Sequence, residues 1–243
     1  MKNIKRKIHI IGINSFKYED LSIEIKKLFH NIRNIAVPIT YINEIKNWVS
    51  MAFIKEKNFY ASKSNIDLIH WLKNIENDVI LISRGDPLWY GIGRILLKNF
   101  SDQELLFYPG NTSLQLASSR LKKSWQDIKT VSIHGRETTE LIKFLKLKEK
   151  GIAILTDPKN NNLELIRQNL KELNLENSYE FWLCEGIGSK NEKIRLITTQ
   201  EKLPQGISAI NIVILLKKEI NYLDTSFPLF GIHDNNFKTF KDR

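Results

Sequence analysis

The sequence predicts an α/β protein built from two lobes. Short apolar runs rich in isoleucine, leucine and valine alternate with segments whose apolar residues recur every three or four positions. That alternation is typical of strands that are each followed by a helix. With 243 residues, the chain can bury one large core or two smaller ones. We expect a first α/β lobe over residues 1–109, a second over 110–220, and a tail or linker over 221–243.

The first lobe is predicted from a strand–helix rhythm that is clearest at its two ends. The run VILIS within Asp78–Ser83 suits a buried parallel strand. In Asn65–Ile75, the residues Ile66, Ile69 and Leu72 fall on one side of a helix. We predict strands over Lys7–Ile13, Asp78–Ser83 and Glu104–Tyr108, and helices over Glu19–Phe29, Asn65–Ile75 and Gly91–Phe100.

The second lobe repeats this rhythm, beginning with a helix for which Thr112 is a suitable N-cap. From about residue 221 the periodicity is lost, which favours a packed arm or a linker. We predict helices over Thr112–Leu121, Thr138–Leu147 and Leu163–Leu173, and strands over Lys129–His134, Gly151–Thr156, Tyr179–Cys184, Lys193–Thr198 and Ile210–Leu216.

Composition excludes several classes of protein. No apolar run approaches the roughly 18 residues of a membrane span, and the apolar stretch near the N-terminus is too short for a signal peptide core. A single cysteine, Cys184, permits neither a disulfide framework nor a thiolate metal cluster within the chain. The five histidines lack metal-ligand spacing, and the chain has neither a phosphate-binding P-loop motif nor a Gly-x-Ser-x-Gly motif. We therefore expect a cytoplasmic protein without a metal.

The net charge of +10 favours an anionic partner. Nucleic acid, an acidic membrane and a polycarboxylate ligand all fit that sign. The lysines are scattered rather than clustered, so a compositional bias without any binding role fits as well.

The densest functional signal is the loop Ser83–Gly93, which reads SRGDPLWYGIG. It follows a predicted strand and precedes a predicted helix, the position at which open α/β sheets bind ligands. Gly85 permits a left-handed backbone and close approach of a ligand, and Asp86 offers a carboxylate acceptor. A tight strand-to-helix turn without a ligand would use the same residue types.

Three further strings lie at the ends of predicted elements. Thr112 and Ser113 either cap a helix or bind a ligand. In VSIHGR, His134 can move a proton near neutral pH, and Arg136 can clamp a carboxylate. In LCEGIG, Glu185 is either an acid/base residue or a turn carboxylate.

Taken in order, these strings resemble the S-adenosylmethionine-dependent tetrapyrrole methylase family. Within that family they are most similar to the precorrin-6Y methylase branch, which acts at carbon 5 of the corrin precursor in cobalamin biosynthesis. The matching strings, between about residues 79 and 216, are GDPLWYGIGR, PGNTSLQLASSRL followed by SWQD, VSIHGR, ILTDP and LCEGIG.

The resemblance implies a two-lobed fold with the methyl donor, S-adenosylmethionine, in the cleft between the lobes. For the substrate site it suggests Arg84, Tyr90 and Arg136, and for acid/base chemistry His134 and Glu185. The positions it implies for donor binding are Gly12, Gly85, Asp86, Trp89, Thr112, Ser113, Leu155, Gly186 and Asn211.

Two positions depart from the family pattern. Where the family has a Gly-x-Gly turn after its first strand, this chain reads Gly12-Ile13-Asn14, and asparagine tolerates a left-handed backbone better than most residues. Arg84 stands where a small residue is usual, so it either meets a substrate carboxylate or points outward. The tail around Phe227 and Phe230 resembles the connector of fused enzymes to a second module for carbon-15 methylation and decarboxylation, and we expect that module to be a separate partner or absent.

These observations predict a carbon-5 methyltransferase acting on a small tetrapyrrole, without nucleic acid or membrane, as a homodimer. A methylase of the same fold acting on a diphthamide intermediate or on ribosomal RNA is one alternative, and RNA binding would weaken steeply with salt. A non-catalytic partner subunit is the other.

Overall fold

A computed structural model describes residues 6–14, 17–51, 57–133, 138–156, 162–198, 202–208 and 210–218. The strands form two five-stranded sheets, each built from one half of the chain. The predicted α/β class is confirmed. No helix within the described ranges is long and apolar enough to cross a membrane.

The first sheet is entirely parallel, with strand order β3-β2-β4-β1-β5. Its central strands β1 and β4 are buried along most of their length and end side by side, with Gly12 in register with Ser83. The first-lobe elements are β1 (Ile8–Ile13), α1 (Ile23–Asn31), β2 (Asn34–Pro38), α2 (Ile42–Met51), β3 (Asn58–Ser62), α3 (Asn65–Asn74), β4 (Val79–Arg84), α4 (Gly93–Asn99) and β5 (Leu105–Tyr108).

Helices cover both faces of this sheet, as expected of a parallel sheet with crossover helices. One face packs against α1 and α2 through Phe29 and Trp48, and the other packs against α3 and α4 through Leu72 and Leu96. The prediction for α3 was wrong at one position: Ile66 is 84% exposed. The buried side of α3 consists of Leu68, Ile69 and Leu72.

The second sheet is mixed, with strand order β6-β7-β10-β8-β9. Only β6 and β7 pair in parallel, and β10 inserts antiparallel between β7 and β8. The carboxyl ends of β6, β7 and β8 therefore meet the start of β10 at one edge. The elements are α5 (Ser113–Leu121), β6 (Ile128–Ser132), α6 (Thr139–Lys146), β7 (Gly151–Leu155), α7 (Asn162–Glu172), β8 (Tyr179–Glu185), β9 (Lys193–Ile197) and β10 (Asn211–Lys217).

Every predicted strand and helix has a counterpart, with ends shifted by a few residues. The largest shift is at α1, which begins after Ser22 because the Ser22 hydroxyl accepts a hydrogen bond from the Ile25 amide at 3.2 Å. The elements β2, α2 and β3 were not predicted. The elements of the first sheet end with β5, and those of the second half begin with α5. The division into lobes at residues 109 and 110 stays a prediction, and residues 219–243 lie outside the described ranges.

Candidate active site

A cavity of about 380 Å³ lies between the two lobes, where the carboxyl ends of β4, β6 and β7 converge. That volume falls within the range of small-molecule sites. Both lobes contribute to its wall, which is formed by Asn14, Arg84, Gly85, Asp86, Trp89, Tyr90, Gly91, Asn111, Thr112, Ser113, Leu116, Ser132, Leu155, Thr156, Ile187, Ile210 and Asn211.

Gly85 turns the chain out of β4 with a left-handed backbone, at φ +63°. Its amide donates a hydrogen bond to the Ile13 carbonyl at 2.9 Å, which ties the turn to the end of β1. A methyl group at Gly85 would lie 3.3 Å from the Asn111 carbonyl oxygen. The turn therefore favours glycine both by its φ and by its close packing.

The loop after Gly85 is shaped by its own hydrogen bonds. Asp86 Oδ1 accepts a bond from the Leu88 amide at 2.8 Å, and the Asp86 carbonyl accepts one from the Trp89 amide at 3.1 Å. The Trp89 and Tyr90 rings then meet edge to face, with centroids 5.2 Å apart. This arrangement places an anionic group and an aromatic surface side by side on the cavity wall.

Gly12 lies behind the cavity rather than on it. A side chain there would come within 2.0 Å of the Gly85 carbonyl oxygen and 2.5 Å of the Gly110 amide nitrogen, so only glycine fits. Asn14, by contrast, lines the cavity. Asn14 does not adopt a left-handed backbone; its side chain binds the Asn111 backbone.

Thr112 acts as the N-cap of α5, as predicted from the sequence. Its hydroxyl accepts from the Gln115 amide at 3.1 Å, and the Gln115 side chain accepts from the Thr112 amide at 2.8 Å. This capping box fixes the start of the helix. Ser113, the first helical residue, and Leu116, one turn later, also face the cavity.

The second lobe supplies a wall in which polar groups are already hydrogen bonded. Thr156 donates to Asn211 Oδ1, and Asn211 Nδ2 donates to the Ser208 carbonyl at 2.9 Å. Leu155 and Ile187 add apolar surface beside them. The Asn211 amide is therefore held in one orientation.

Gly186 does not line the cavity, but it shapes the loop that does. It has φ +54°, and its amide donates to the Ile210 carbonyl at 2.8 Å. The same loop is held by Glu192, whose carboxylate accepts from the Gly188 amide at 2.9 Å and pairs with Arg120 at 2.7 Å. Ile187 is thereby fixed on the cavity wall.

Two side chains of the first lobe reach across to the second. Arg84 Nη2 donates to the Ile187 carbonyl at 3.1 Å, and the Tyr90 hydroxyl donates to the Thr130 carbonyl at 3.0 Å. Arg84 therefore does not point outward. It lines the cavity and binds the opposite lobe.

Glu185 is placed differently from what the sequence suggested. It is 1% exposed, lies outside the cavity wall, and pairs with Arg195 across 2.7 Å. Its other oxygen accepts from the Ser208 amide at 2.9 Å. Side chains alternate along a strand, so Glu185 shares the sheet face of Leu183, away from α5. These contacts favour a structural role in place of the predicted acid/base role.

His134 and Arg136 lie outside the described residues. Ser132, which precedes them at the end of β6, lines the cavity. Among the described residues, no three histidine, cysteine, aspartate or glutamate side chains cluster as a metal site would require.

A larger recess of about 1110 Å³ opens at the opposite edge of the second sheet. Lysines at the starts of its strands and at the end of β10 surround it, and none of the predicted site residues within the described ranges lines it. The predicted site residues that line the smaller cavity between the lobes are Arg84, Gly85, Asp86, Trp89, Tyr90, Thr112, Ser113, Leu155 and Asn211.

A cavity with both apolar and polar groups in its wall, at the carboxyl ends of strands from two α/β lobes, defines a protein with an enzyme-type ligand cleft. Comparison with known families makes this specific: residues 43–204 match the family described as Tetrapyrrole (Corrin/Porphyrin) Methylases. The chain belongs to this family. Methylases of the family use S-adenosylmethionine as methyl donor.

Two curated relatives carry related names. The probable cobalt-precorrin-7 C(5)-methyltransferase of Methanocaldococcus jannaschii is 28% identical over 201 residues, which cover 80% of this chain and 90% of that protein. The precorrin-6Y C(5,15)-methyltransferase [decarboxylating] of a Sinorhizobium species is 38% identical over 128 residues. The latter match covers 52% of this chain but only 30% of the relative's length.

Solved structures agree on the fold. The precorrin-6Y methylase of Archaeoglobus fulgidus superposes with a TM-score of 0.62 at 20% identity, covering 87% of this chain and 98% of that one. The uroporphyrin-III C-methyltransferase of Thermus thermophilus, complexed with S-adenosylhomocysteine, gives 0.60 at 16% identity, covering 86% and 96%. The predicted two-lobed methylase fold is therefore confirmed.

Proposed function

We propose that this chain transfers a methyl group from S-adenosylmethionine to carbon 5 of a precorrin or cobalt-precorrin in the biosynthesis of cobalamin (vitamin B12). The observation that carries the proposal is the similarity to the Methanocaldococcus C(5)-methyltransferase, which extends over 90% of that relative. The carbon-15 methylation and decarboxylation named for the Sinorhizobium protein are not part of the proposal, since the chain matches only 30% of it.

The cavity between the lobes fits the chemistry of the donor. A nucleoside joined to an amino acid needs flat apolar surface beside hydrogen-bonding groups, and this wall combines Trp89 and Leu155 with Asp86 and Asn211. At Gly85 the backbone itself borders the cavity, which permits close approach of a ligand. The residues proposed to hold the donor are Gly85, Asp86, Trp89, Thr112, Ser113, Leu155 and Asn211, with Gly12 and Gly186 shaping the loops behind them.

Bound S-adenosylmethionine supplies an electrophilic methyl group on a sulfonium centre. The protein's own contribution is positioning and exclusion of water. Asn211 and Thr112 are already oriented by their neighbours, and Arg84 and Tyr90 join the two lobes around the cavity. The rate then depends on how rigidly these contacts keep the lobes together.

Among the two acid/base candidates, the proposal retains only His134. Glu185 is occupied by Arg195 and by the Ser208 amide, whereas His134 follows β6, whose last residue, Ser132, lines the cavity. Arg136, two residues further on, is kept as a substrate contact, as are Arg84 and Tyr90. A homodimer in the cytoplasm, with no metal and no nucleic acid partner, completes the proposal.

The direct test incubates the purified chain with S-adenosylmethionine and a cobalt-precorrin lacking the carbon-5 methyl group. Mass spectrometry should show the gain of one methyl group, and NMR should place it at carbon 5. Methyl transfer to RNA or to a diphthamide intermediate, without transfer to the cobalt-precorrin, would contradict the proposal.

Donor placement has its own test in Asp86→Ala. We expect calorimetry to show S-adenosylmethionine binding weakened by about tenfold or more, since the change removes a charged acceptor and its bond to the Leu88 amide. Asp127→Ala, which alters an exposed aspartate beside the larger recess, is the matched control. Equal donor affinity in the two variants would refute the placement.

A further inference from the structure

Trp89 and Tyr90 separate the donor cavity from a second recess of about 860 Å³. Trp89, Tyr90 and Gly91 border both spaces. The second recess extends along α4 and reaches Thr130 of the other lobe. A molecule lying there would therefore meet one side of the wall whose other side faces the donor.

This second recess is basic. Arg94 and Lys98 stand one helical turn apart on α4, so their side chains lie on the same face. Both are exposed, and the structure shows no ion pair to either within the part of the chain it describes. No acidic residue is found among the described residues that line the recess. Two positive charges are thus available to an anionic ligand.

The same recess offers apolar and aromatic surface next to the cations. Leu88 is 52% exposed and Tyr90 is 41% exposed, and both line the recess. A ligand that matches the recess has a broad apolar body and carboxylates along its edge.

Tyr90, in the wall between the two spaces, is held by its backbone conformation and by a side-chain hydrogen bond. Tyr90 has φ +51°, a conformation that costs a non-glycine residue energy, and its hydroxyl is bonded to the Thr130 carbonyl. Behind it, a side chain at Gly91 would lie 2.6 Å from the Pro87 carbonyl oxygen. A strained residue held by contacts on both lobes is typical of a ligand site.

We propose that Arg94 and Lys98 bind the carboxylate groups along one edge of the tetrapyrrole, whose apolar face rests on Leu88 and Tyr90. This proposal deepens the methyltransferase function and rests on it. With that edge held in the recess, the rest of the macrocycle has to extend past Trp89 and Tyr90 into the donor cavity, where methyl transfer takes place. Arg94 and Lys98 are then the part of the positive net charge that recognises the substrate.

The test measures binding of uroporphyrin, a porphyrin with carboxylates on every pyrrole ring, by fluorescence titration. We expect Arg94→Ala and Lys98→Ala each to raise the Kd about tenfold, and the double variant to raise it further, because each change removes a charge-assisted hydrogen bond. The wild-type Kd should also rise with salt more steeply than that of the double variant. Lys27→Ala, an exposed lysine on α1 against the other face of the sheet, should bind as the wild type does.

Methyl transfer gives a second readout. In the double variant the KM for the cobalt-precorrin should rise while kcat stays within about twofold, and the affinity for S-adenosylmethionine should be unchanged by calorimetry. An unaltered Kd and KM in the double variant would overturn the proposal, as would a wild-type chain that does not bind uroporphyrin. Binding that depends on Arg94 and Lys98 in a chain that transfers no methyl group would support the recess and refute the carbon-5 activity instead.

Discussion

Asn14 and Asn111 form a reciprocal hydrogen-bonded pair in the wall of the cavity between the lobes. Asn14 Nδ2 donates to the Asn111 carbonyl at 2.6 Å, and the Asn111 amide donates to Asn14 Oδ1 at 2.6 Å. One side chain thereby joins the end of β1 to the connection that leads into α5. At the position where the resemblance implies a Gly-x-Gly turn, this chain uses the amide side chain of Asn14 as a clamp.

The clamp predicts an asymmetry between the two asparagines. Asn14→Ala removes both hydrogen bonds and should cost about 1–2 kcal/mol of unfolding free energy, together with some donor affinity. Asn111→Ala leaves both bonds intact, because they use the backbone of Asn111. Chemical denaturation of the two variants measures the difference, and equal losses of stability would show that the pair does not hold the turn.

Gly85 and Gly206 have nearly the same left-handed backbone but differ in how closely other atoms surround them. Their alanine variants therefore distinguish the cost of backbone strain from the cost of crowding. Gly85 has φ +63° and Gly206 has φ +65°, but a side chain at Gly206 would meet no atom within 4 Å. Gly206→Ala should therefore cost about 1 kcal/mol from backbone strain alone. Gly85→Ala should cost more and should also weaken S-adenosylmethionine binding, since the added methyl group crowds the Asn111 carbonyl oxygen at 3.3 Å.

Thermal melts and donor titrations on both glycine variants test this pair. If Gly85→Ala bound the donor as tightly as the wild type, the Gly85 turn would not form part of the donor site. If Gly206→Ala also lost donor affinity, the effect could not be assigned to the cavity.

Glu192 makes the loop around Ile187 sensitive to acid. Burial acts to raise the pKa of its carboxyl group, but the hydrogen bond from the Gly188 amide and the Arg120 guanidinium outweigh it, so the pKa falls below its usual 4.5. A lowered pKa contributes stability that is fully present above the unfolded-state pKa and is lost as the pH falls through the folded-state value. Because both side chains are partly exposed, we expect about 1 kcal/mol or less.

Melting temperatures measured from neutral pH down to about pH 3 test the Glu192 prediction. Glu192→Gln should flatten the acid-dependent part of the curve, since glutamine keeps an acceptor for the Gly188 amide but does not titrate. Glu164→Gln, on the exposed side of α7, should leave that part of the curve unchanged. Identical acid limbs for wild type and Glu192→Gln would refute the prediction.

The sequence predicts strands that contain long apolar runs, and it misses β2 and β3, in which few residues are buried. β4 begins with four consecutive apolar residues, VILI, and the structure buries them. β3 is the edge strand of its sheet, and all its residues are exposed or half-buried, so it has neither an apolar run nor a clear alternation. β2 has only three buried residues, between Asn34 and Pro38.

The residues of the candidate site fall into two groups: those that are neighbours in sequence, and those that only the fold brings together. Gly85, Asp86 and Trp89 form one contiguous string, so their joint placement in the cavity follows from local sequence. Thr156 and Ile187 come from different elements and meet only through the order of the second sheet, which no local pattern reveals. The burial of Glu185 away from the cavity did have a signal in the sequence: in a strand it shares the face of Phe181 and Leu183, which belong to the core.

Cys184 should be inert in the folded protein. Its side chain is completely buried among Leu114, Ala117 and Ile212, under α5. Burial, with a smaller contribution from Glu192, raises the pKa of the thiol from 9.0 to about 12, and only the thiolate reacts with disulfide reagents. At about pH 8, labelling of the native chain should therefore be at least about a thousandfold slower than labelling in guanidinium, where one thiol per chain should react.

The same labelling experiment reports how the second lobe opens. Glu192→Gln should leave native labelling slow, because burial is the larger cause of the raised pKa. If the logarithm of the labelling rate rises steeply and linearly with denaturant concentration, Cys184 is exposed by global unfolding. If labelling is fast and its rate does not depend on denaturant, the end of β8 opens locally. We expect the first behaviour, since β8 pairs with both β9 and β10 along its length. Fast labelling of the native chain would contradict both the burial of Cys184 and the rigidity assigned to the wall that carries Ile187.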